Sequence, residues 1–370
     1  VGSHLDHDAL LEELWQRGGS DVFLLAGSPA RMRVDGELVD ASHSEVVDAA
    51  DLQSLIEGLV GAAQVQEFKE TGDCDFAFTW RDLGRVRASA YRQRRAPALA
   101  LRLIPRAIPS FDEIGLPPVV RELIETKGRG FVLCTGATGS GKSTTQAAII
   151  DRINSIRACH ILTIEDPIEY LHESKRATVS QREIGSDSVS FARALRAALR
   201  EDPDVILLGE MRDPESIEIA LTLAETGHLV LATLHTRSAP QAIDRIIDGM
   251  PDGTQERVRA QLAASLDAVV AQRLLPRVGG GRVVVFEVMI ATLAVRNLIR
   301  EGRTNQLARL VATGERDGMI SLDASLAELV RAGQLEVDVA LAVSAHPTEV
   351  AALLNVKVEM AHSSKHSTMV

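Results

Sequence analysis

Phe131-Val132-Leu133-Cys134-Thr135-Gly136-Ala137-Thr138-Gly139-Ser140-Gly141-Lys142-Ser143-Thr144 decides how the rest of the chain is read. A run of strand-type apolar residues ends at Cys134. Gly136 to Ser143 then fits GxxxxGK[ST], and a helix is expected to open at Thr144. The glycines let the backbone curl so that successive N–H groups face an anion, and the helix N-terminus adds partial positive charge. The spacing predicts a nucleoside triphosphate cradled by Gly136, Ala137, Thr138, Gly139, Ser140, Gly141 and Thr144. Lys142 is expected to reach the β- and γ-phosphates and Ser143 to hold Mg²⁺. A plain glycine turn at a helix start would not account for strand, lysine and serine together.

Three further strand-type runs follow downstream. Val205–Leu208 is followed by Gly209-Glu210, and a buried strand ending in a carboxylate suits Mg²⁺ or water at its tip. Ile164-Glu165-Asp166-Pro167-Ile168-Glu169 places a second acidic cluster where Pro167 should stop a strand. Taken alone, that cluster reads equally as a solvated turn. Leu229–Ala232 is bracketed by His228 and His235. His235 falls just past the strand end, where a γ-phosphate sensor would sit, and His228 before it is as readily structural. Strands alternating with helices imply a parallel sheet with crossover helices.

Upstream, Leu10, Leu11 and Leu14 form a helical stripe, and Leu52, Leu55, Ile56 and Leu59 another within Asp51–Leu59. Strands are expected at Val22–Leu25, Arg31–Val34 and Leu38–Val39 around the turn Asp35-Gly36, then at Phe76–Trp80, Arg85–Tyr91 and Ala98–Leu103. This α+β segment of about 100 residues ends where five of the 13 prolines crowd between Pro97 and Pro118. Beyond about residue 293 the pattern turns helical. The resulting division is an N-terminal domain over 5–103, a linker over 104–118, an α/β core over 119–292 and a helical region over 293–356. Residues 357–370 read as a disordered or vector-derived tail, and Val1-Gly2-Ser3-His4 as an expression scar.

The 370 residues carry 40 Lys+Arg against 51 Asp+Glu, a formal charge of −11, with 45% hydrophobic and 25% charged residues. That excludes a disordered or collagen-like chain and argues against a protein that coats nucleic acid. No apolar run reaches membrane-spanning length and no signal peptide is seen, so a cytoplasmic protein without a transmembrane segment is expected. Three scattered cysteines form neither a disulfide framework nor a zinc module.

The order of boxes carries a family resemblance. The P-loop is followed by Thr163-Ile164-Glu165-Asp166-Pro167-Ile168-Glu169-Tyr170, Gly209-Glu210-Met211-Arg212-Asp213 and Thr226-Gly227-His228 through His235-Thr236. This series resembles the Walker A, Asp box, Walker B and His box of the secretion ATPase superfamily. Val295-Arg296-Asn297-Leu298-Ile299-Arg300-Glu301-Gly302 is similar to a segment of the type IV pilus retraction ATPases (PilT-like). The resemblance implies an α/β fold with a RecA-like P-loop ATPase core, an N-terminal α+β PAS-like domain and a C-terminal helical region. It implies a homohexameric, Mg²⁺-dependent ATPase with ATP between the domains, driving pilus retraction and twitching motility. The motor would act through an inner-membrane platform protein, associated peripherally with the cytoplasmic face of that membrane. Carried over by position, Glu165 and Glu210 serve metal, water and base, His235 and His228 lie near the γ-phosphate, and Arg87 and Arg102 reach the nucleotide. The family's Ser-Asp-Leu-His segment is Ser20-Asp21-Val22-Phe23-Leu24 here, without the histidine.

Between Gly84 and Phe111 stand seven arginines and no acidic residue. They suit ATP phosphates and acidic neighbours at domain and subunit seams. A solvated strand face and nucleic-acid contact are the other readings. The alternatives to retraction are a pilus-extension or secretion-type assembly ATPase and, further off, a RecA-like nucleic-acid translocase. In Ala294–Glu301, Val295, Leu298 and Ile299 share an apolar face, while Arg296 and Arg300 are expected to form a charged surface that transmits work.

Overall fold

A computed structural model describes residues 5–34, 36–42 and 45–356. The leader 1–4, the tail 357–370 and Asp35 of the expected turn lie outside the described residues. The strands β1 (Asp21–Leu25), β2 (Arg31–Val34), β3 (Glu37–Asp40), β4 (Asp73–Trp80), β5 (Gly84–Gln93) and β6 (Ala96–Pro105) pair antiparallel in the order β3-β2-β1-β6-β5-β4. Alternation builds this sheet. On β5, Val86, Ala88 and Ala90 are buried while Arg85 and Arg87 between them stay half-buried, because successive side chains take opposite faces. Leu11 and Leu14 of the helix His7–Gln16 bury against that apolar face with Leu52, Ile56 and Phe68. Each such burial is worth about 1.5–3 kcal/mol. Asp6 caps that helix by accepting from the N–H groups of Asp8 and Ala9. A third helix, Ala62–Thr71, was not legible in the sequence; of its residues Phe68 is the one buried deep in this core.

Beyond the prolines the sheet is parallel, as expected of an α/β chain. β7 (Gly130–Thr135) runs parallel to β11 (Leu229–Leu234) on one side and to β12 (Leu266–Pro276) on the other, with β13 (Arg282–Ile290) antiparallel at the edge. β8 (His160–Glu165) lies between the parallel strands β9 (Thr178–Glu183) and β10 (Val205–Leu208). β9, β12 and β13 add to the four strands expected in this part of the chain. The described residues group into two units, one running to Ser110 and resuming over Gln146–Gly209, the other formed by Phe111–Thr145 and the residues from Glu210 onward. In the second unit, Leu275 and Val285 of the β12–β13 hairpin bury against Leu326, Leu335, Ala340 and Val350 of the C-terminal helices.

The helix Leu293–Arg300 buries Val295 and Ile299, the apolar face expected of it. Its two arginines do not form a pair. Arg296 Nε donates to Ala291 O at 2.9 Å, and its Nη1 donates to Ala263 O at 2.9 Å and Ala264 O at 2.7 Å. Those last two carbonyls end the helix Gln255–Ser265, where no intrahelical donor remains for them. Nη2 lies 3.6 Å from the buried Asp267 carboxylate. Arg296 is thus a clamp between two helices, whereas Arg300 is exposed and among the described residues bonds only Asn297 Oδ1, at 3.0 Å. The expectation of a shared charged surface fails because the Arg296 guanidinium is consumed by backbone carbonyls. Arg296→Ala should therefore cost about 1–3 kcal/mol of stability, and Arg300→Ala less than about 0.5 kcal/mol. Thermal unfolding of the two single variants checks this, and equal melting temperatures would contradict the clamp.

Candidate active site

Thr135, at the end of β7 and fully buried, fixes the geometry that follows. Its register partner on β11 is Leu234. The Thr135 hydroxyl lies 2.7 Å from Thr236 Oγ1, accepts from Thr236 N–H at 2.9 Å, and can donate to Leu234 O at 3.2 Å or Thr236 O at 3.0 Å. The loop after β11 is thereby tied to the strand that feeds the P-loop. At Gly136, φ is +155°, and a Cβ there would stand 2.5 Å from both Gln272 O and Ser140 Oγ. Only glycine lets the chain turn this close to β12. The loop is propped from below by Gln272 of β12, whose Nε2 donates to Ser140 O at 2.7 Å. A buried amide within an apolar strand is the signal that the sequence carries for Gln272.

Lys142 opens the helix Lys142–Ile156 and is buried. Its ammonium donates to Gly136 O at 2.7 Å and Ala137 O at 3.0 Å, and lies 3.3 Å from His235 Nδ1. His235 Nε2 is 3.1 Å from Glu210 Oε1, and Glu210 Oε2 is 2.8 Å from Arg212 Nη2. Both neighbours of the imidazole are satisfied when Nε2 carries the hydrogen and Nδ1 accepts. Burial alone would raise the Glu210 carboxyl, but the Arg212 hydrogen bond and charge, with His235 behind them, hold it below the usual range. Ser143 and Thr144 occupy the first helical turn, half-buried. Within this unit Lys142, His235 and Glu210 converge.

His228 does not join them. It precedes β11, level with the start of β7, so roughly 20 Å of strand separates it from His235 at about 3.3 Å per residue. Its Nδ1 is 2.9 Å from Leu223 O and 3.3 Å from Thr226 Oγ1, which closes the turn after the helix Pro214–Glu225. Within one chain this is a structural histidine, at the far end of its strand from the P-loop.

The remaining candidates belong to the first unit. Thr163 Oγ1 donates to Glu165 Oε1 at 2.7 Å and Gln181 Nε2 donates to it at 3.3 Å. Burial pushes the Glu165 carboxyl up to about 7 despite those donors, with the Glu169 carboxylate adding to the rise. Arg87 Nη1 reaches Glu169 Oε1 at 3.5 Å. Arg85 holds the acidic segment more firmly, donating from Nε to Ile168 O at 2.7 Å and from Nη2 to Glu183 Oε2 at 3.0 Å. Arg87 and Arg102 are direct cross-strand partners on β5 and β6. Like charges so placed repel. Arg102 Nε answers by donating to the buried Asp21 at 2.7 Å, and Arg33 approaches the same carboxylate at 3.7 Å. All three thiols lie above their ordinary range through burial: Cys134 of β7 is pushed up to about 12, and Cys74 and Cys159 are raised as well.

The model of the type II/IV secretion system protein family matches residues 4–330. The chain is 48% identical over 316 residues to the uncharacterized protein YggR of Escherichia coli, covering 85% of this chain and 95% of that one. It is 45% identical over 329 residues to the type IV pilus retraction ATPase PilT of Pseudomonas aeruginosa, covering 89% and 95%. Among solved structures, that of the pilus retraction motor PilT with bound ADP is 44% identical, with a TM-score of 0.84 over 94% of this chain and 99% of that one.

Glu165 sets a pH dependence of stability. Its carboxyl titrates near 7 when folded against about 4.5 when unfolded. Below the lower value both states hold the proton and the group costs nothing. Between the two values the unfolded chain ionises first, so stability falls as pH rises, and the full cost is present above 7. Glu165→Gln should lose less stability than the native chain between pH 5 and pH 8. Melting curves across that range measure it, and identical pH dependence in both proteins would contradict the assignment.

Proposed function

The chain belongs to the type II/IV secretion system protein family, and we infer that it is an ATP-hydrolysing motor that drives type IV pilus retraction. The observation that carries this reading is the convergence of Lys142, His235 and Glu210 where β7 and β11 end. Likeness to a retraction ATPase over nearly the whole chain supports the direction of work.

The residues present fit a nucleotide. The loop packs so closely on β12 that Gly136 has no room for a Cβ, and the buried Ser140 Oγ has no hydrogen-bond partner within the described residues. The phosphates are cradled by 136–141 and Thr144, with Lys142 leaving its loop carbonyls for phosphate oxygens. Ser143 and Glu210, with Glu165, would hold Mg²⁺, which would supply positive charge to offset that of the phosphates. Glu210 stays ionised and orients the attacking water, aligned by His235 Nε2–H. Glu165, the second strand-tip carboxylate, shares with Glu210 the metal, water and base work. Arg87 and Arg102, side by side on β5 and β6, supply cations for the transferred phosphoryl group.

The working assembly is a homohexamer meeting an inner-membrane platform protein at the cytoplasmic face. Among the described residues no helix is long and apolar enough to cross a membrane. The chain is organised as a PAS-like domain over 5–103, a linker over 104–118, a RecA-like core over 119–292 and a helical region over 293–356. Nucleotide-dependent movement between the domains delivers the work.

Two substitutions test the chemistry. Lys142→Ala removes the loop's own side-chain cation and should lower nucleotide affinity or turnover at least about tenfold, and near-normal steady-state phosphate release would overturn the site. Glu210→Gln keeps size and hydrogen bonding but not charge. Nucleotide should still bind while hydrolysis falls by roughly a hundredfold or more. In a piliated cell lacking retraction, the native chain should restore twitching and the Glu210→Gln chain should not. Hydrolysis without any restored twitching would favour an extension or secretion role.

A further inference from the structure

The second unit holds a cavity of about 310 Å³ on the β12 side of the P-loop, lined among others by Gly136, Ser140, Arg237, Gln272, Arg273 and Leu274. Two arginines and no acidic residue are among the residues that line it. The path of the chain explains how Arg237, which follows β11, reaches the β12 side. His235 faces Lys142 and Glu210, Thr236 is bonded across the end of β7 through Thr135, and the next residue emerges beyond it. Arg237 O then accepts from Arg273 Nη2 of β12 at 3.4 Å. The loop is pinned at its exit too. Ala239 N–H donates to Glu287 Oε1 of β13 at 2.6 Å, and Arg237 N–H donates to Gln241 Oε1 at 3.3 Å.

The two arginines differ in what they are free to do. Arg273 is spent within the fold, with Nη1 donating to Val343 O at 2.9 Å and Nη2 to the Arg237 carbonyl. Arg237 is exposed, and among the described residues its guanidinium makes no hydrogen bond or ion pair. A backbone held at several points thus presents an uncommitted cation across a cavity from the first half of the P-loop. Beneath that half, the buried Ser140 Oγ and Gln272 Oε1 also lack partners.

We propose that Arg237 is a second phosphate-binding cation, contacting the nucleoside-proximal end of the bound polyphosphate. The proposal rests on the reading of the P-loop as an ATP site. The hydrolytic groups His235 and Glu210 stand on the β11 side of β7, so the γ-phosphate belongs there. The polyphosphate must then run toward β12, where Arg237 waits and Leu274 supplies an apolar wall for the nucleoside. A guanidinium suits this place because its fork grips two phosphate oxygens at once.

The test uses the purified full chain, titrated with a fluorescent ADP analogue displaced by ADP or by GDP. Arg237→Ala should weaken both ligands by the same factor of about ten, the worth of a charge-assisted contact, with Arg237→Lys in between. The gap from the native chain should narrow as salt rises, since charge contacts at an open site are screened. Unfolding is not at issue for an exposed side chain, and circular dichroism of each variant checks it. Unchanged affinity, or a loss confined to ADP with GDP unaffected, would overturn the phosphate contact. The second result would assign Arg237 to the base. Should Lys142→Ala bind ADP as the native chain does, the P-loop reading itself falls and takes this proposal with it, a result distinct from failure of Arg237 alone.

Discussion

A single buried hydroxyl, that of Thr135, carries an unusual share of the second unit's geometry. Parallel pairing of β7 with β11 sets the two strand ends level, but it does not say where the chains go next. The bonds between Thr135 and Thr236 do. They hold the loop after β11 flat against the exit of β7, so His235 turns toward the lysine on one side and Arg237 toward β12 on the other. A hydroxyl is suited to this because it donates once and accepts twice from one atom. Valine at 135 would keep the volume and the β-propensity but leave the half-buried Thr236 N–H without this acceptor.

The two glutamates at the strand tips show how environment separates chemically identical groups. Glu210 sits beside Arg212 and His235 and is kept charged. Glu165 is offered neutral donors, from Thr163, Gln181 and the Glu169 backbone, while the Glu169 carboxylate adds repulsion. Neutral donors do not offset loss of solvent as a guanidinium does, so burial prevails at one site and not at the other. Similar reasoning applies to β5 and β6, where Asp21 tempers an otherwise repulsive arginine pair.

Much of this was legible in the sequence, for identifiable reasons. The P-loop, the apolar strands before it and after it, and the α+β character of the first hundred residues rest on local patterns, and local patterns are what sequence displays. The placement of Glu210 at a strand tip follows from the same logic. What escaped depends on partners distant along the chain. Arg296 looked like surface charge until the carbonyls of Ala263 and Ala264 came within reach of it. His235 was expected past the strand end and His228 before it, with a structural role open for the latter, and the parallel register leaves only His235 near the P-loop. Gln272 and Asp21 act through residues well over 50 positions away, Ser140 and Arg102 respectively, and no periodicity reports such pairings.

The burial of Cys134 beneath the P-loop bears on how the protein meets oxidants. Thiol chemistry proceeds through the thiolate, and at neutral pH a group pushed up to about 12 presents almost none. Cys74 and Cys159 are raised in the same direction. The strand that feeds the phosphate site therefore carries sulfur without carrying a redox handle, and peroxide or alkylating agents have no activated nucleophile to find there.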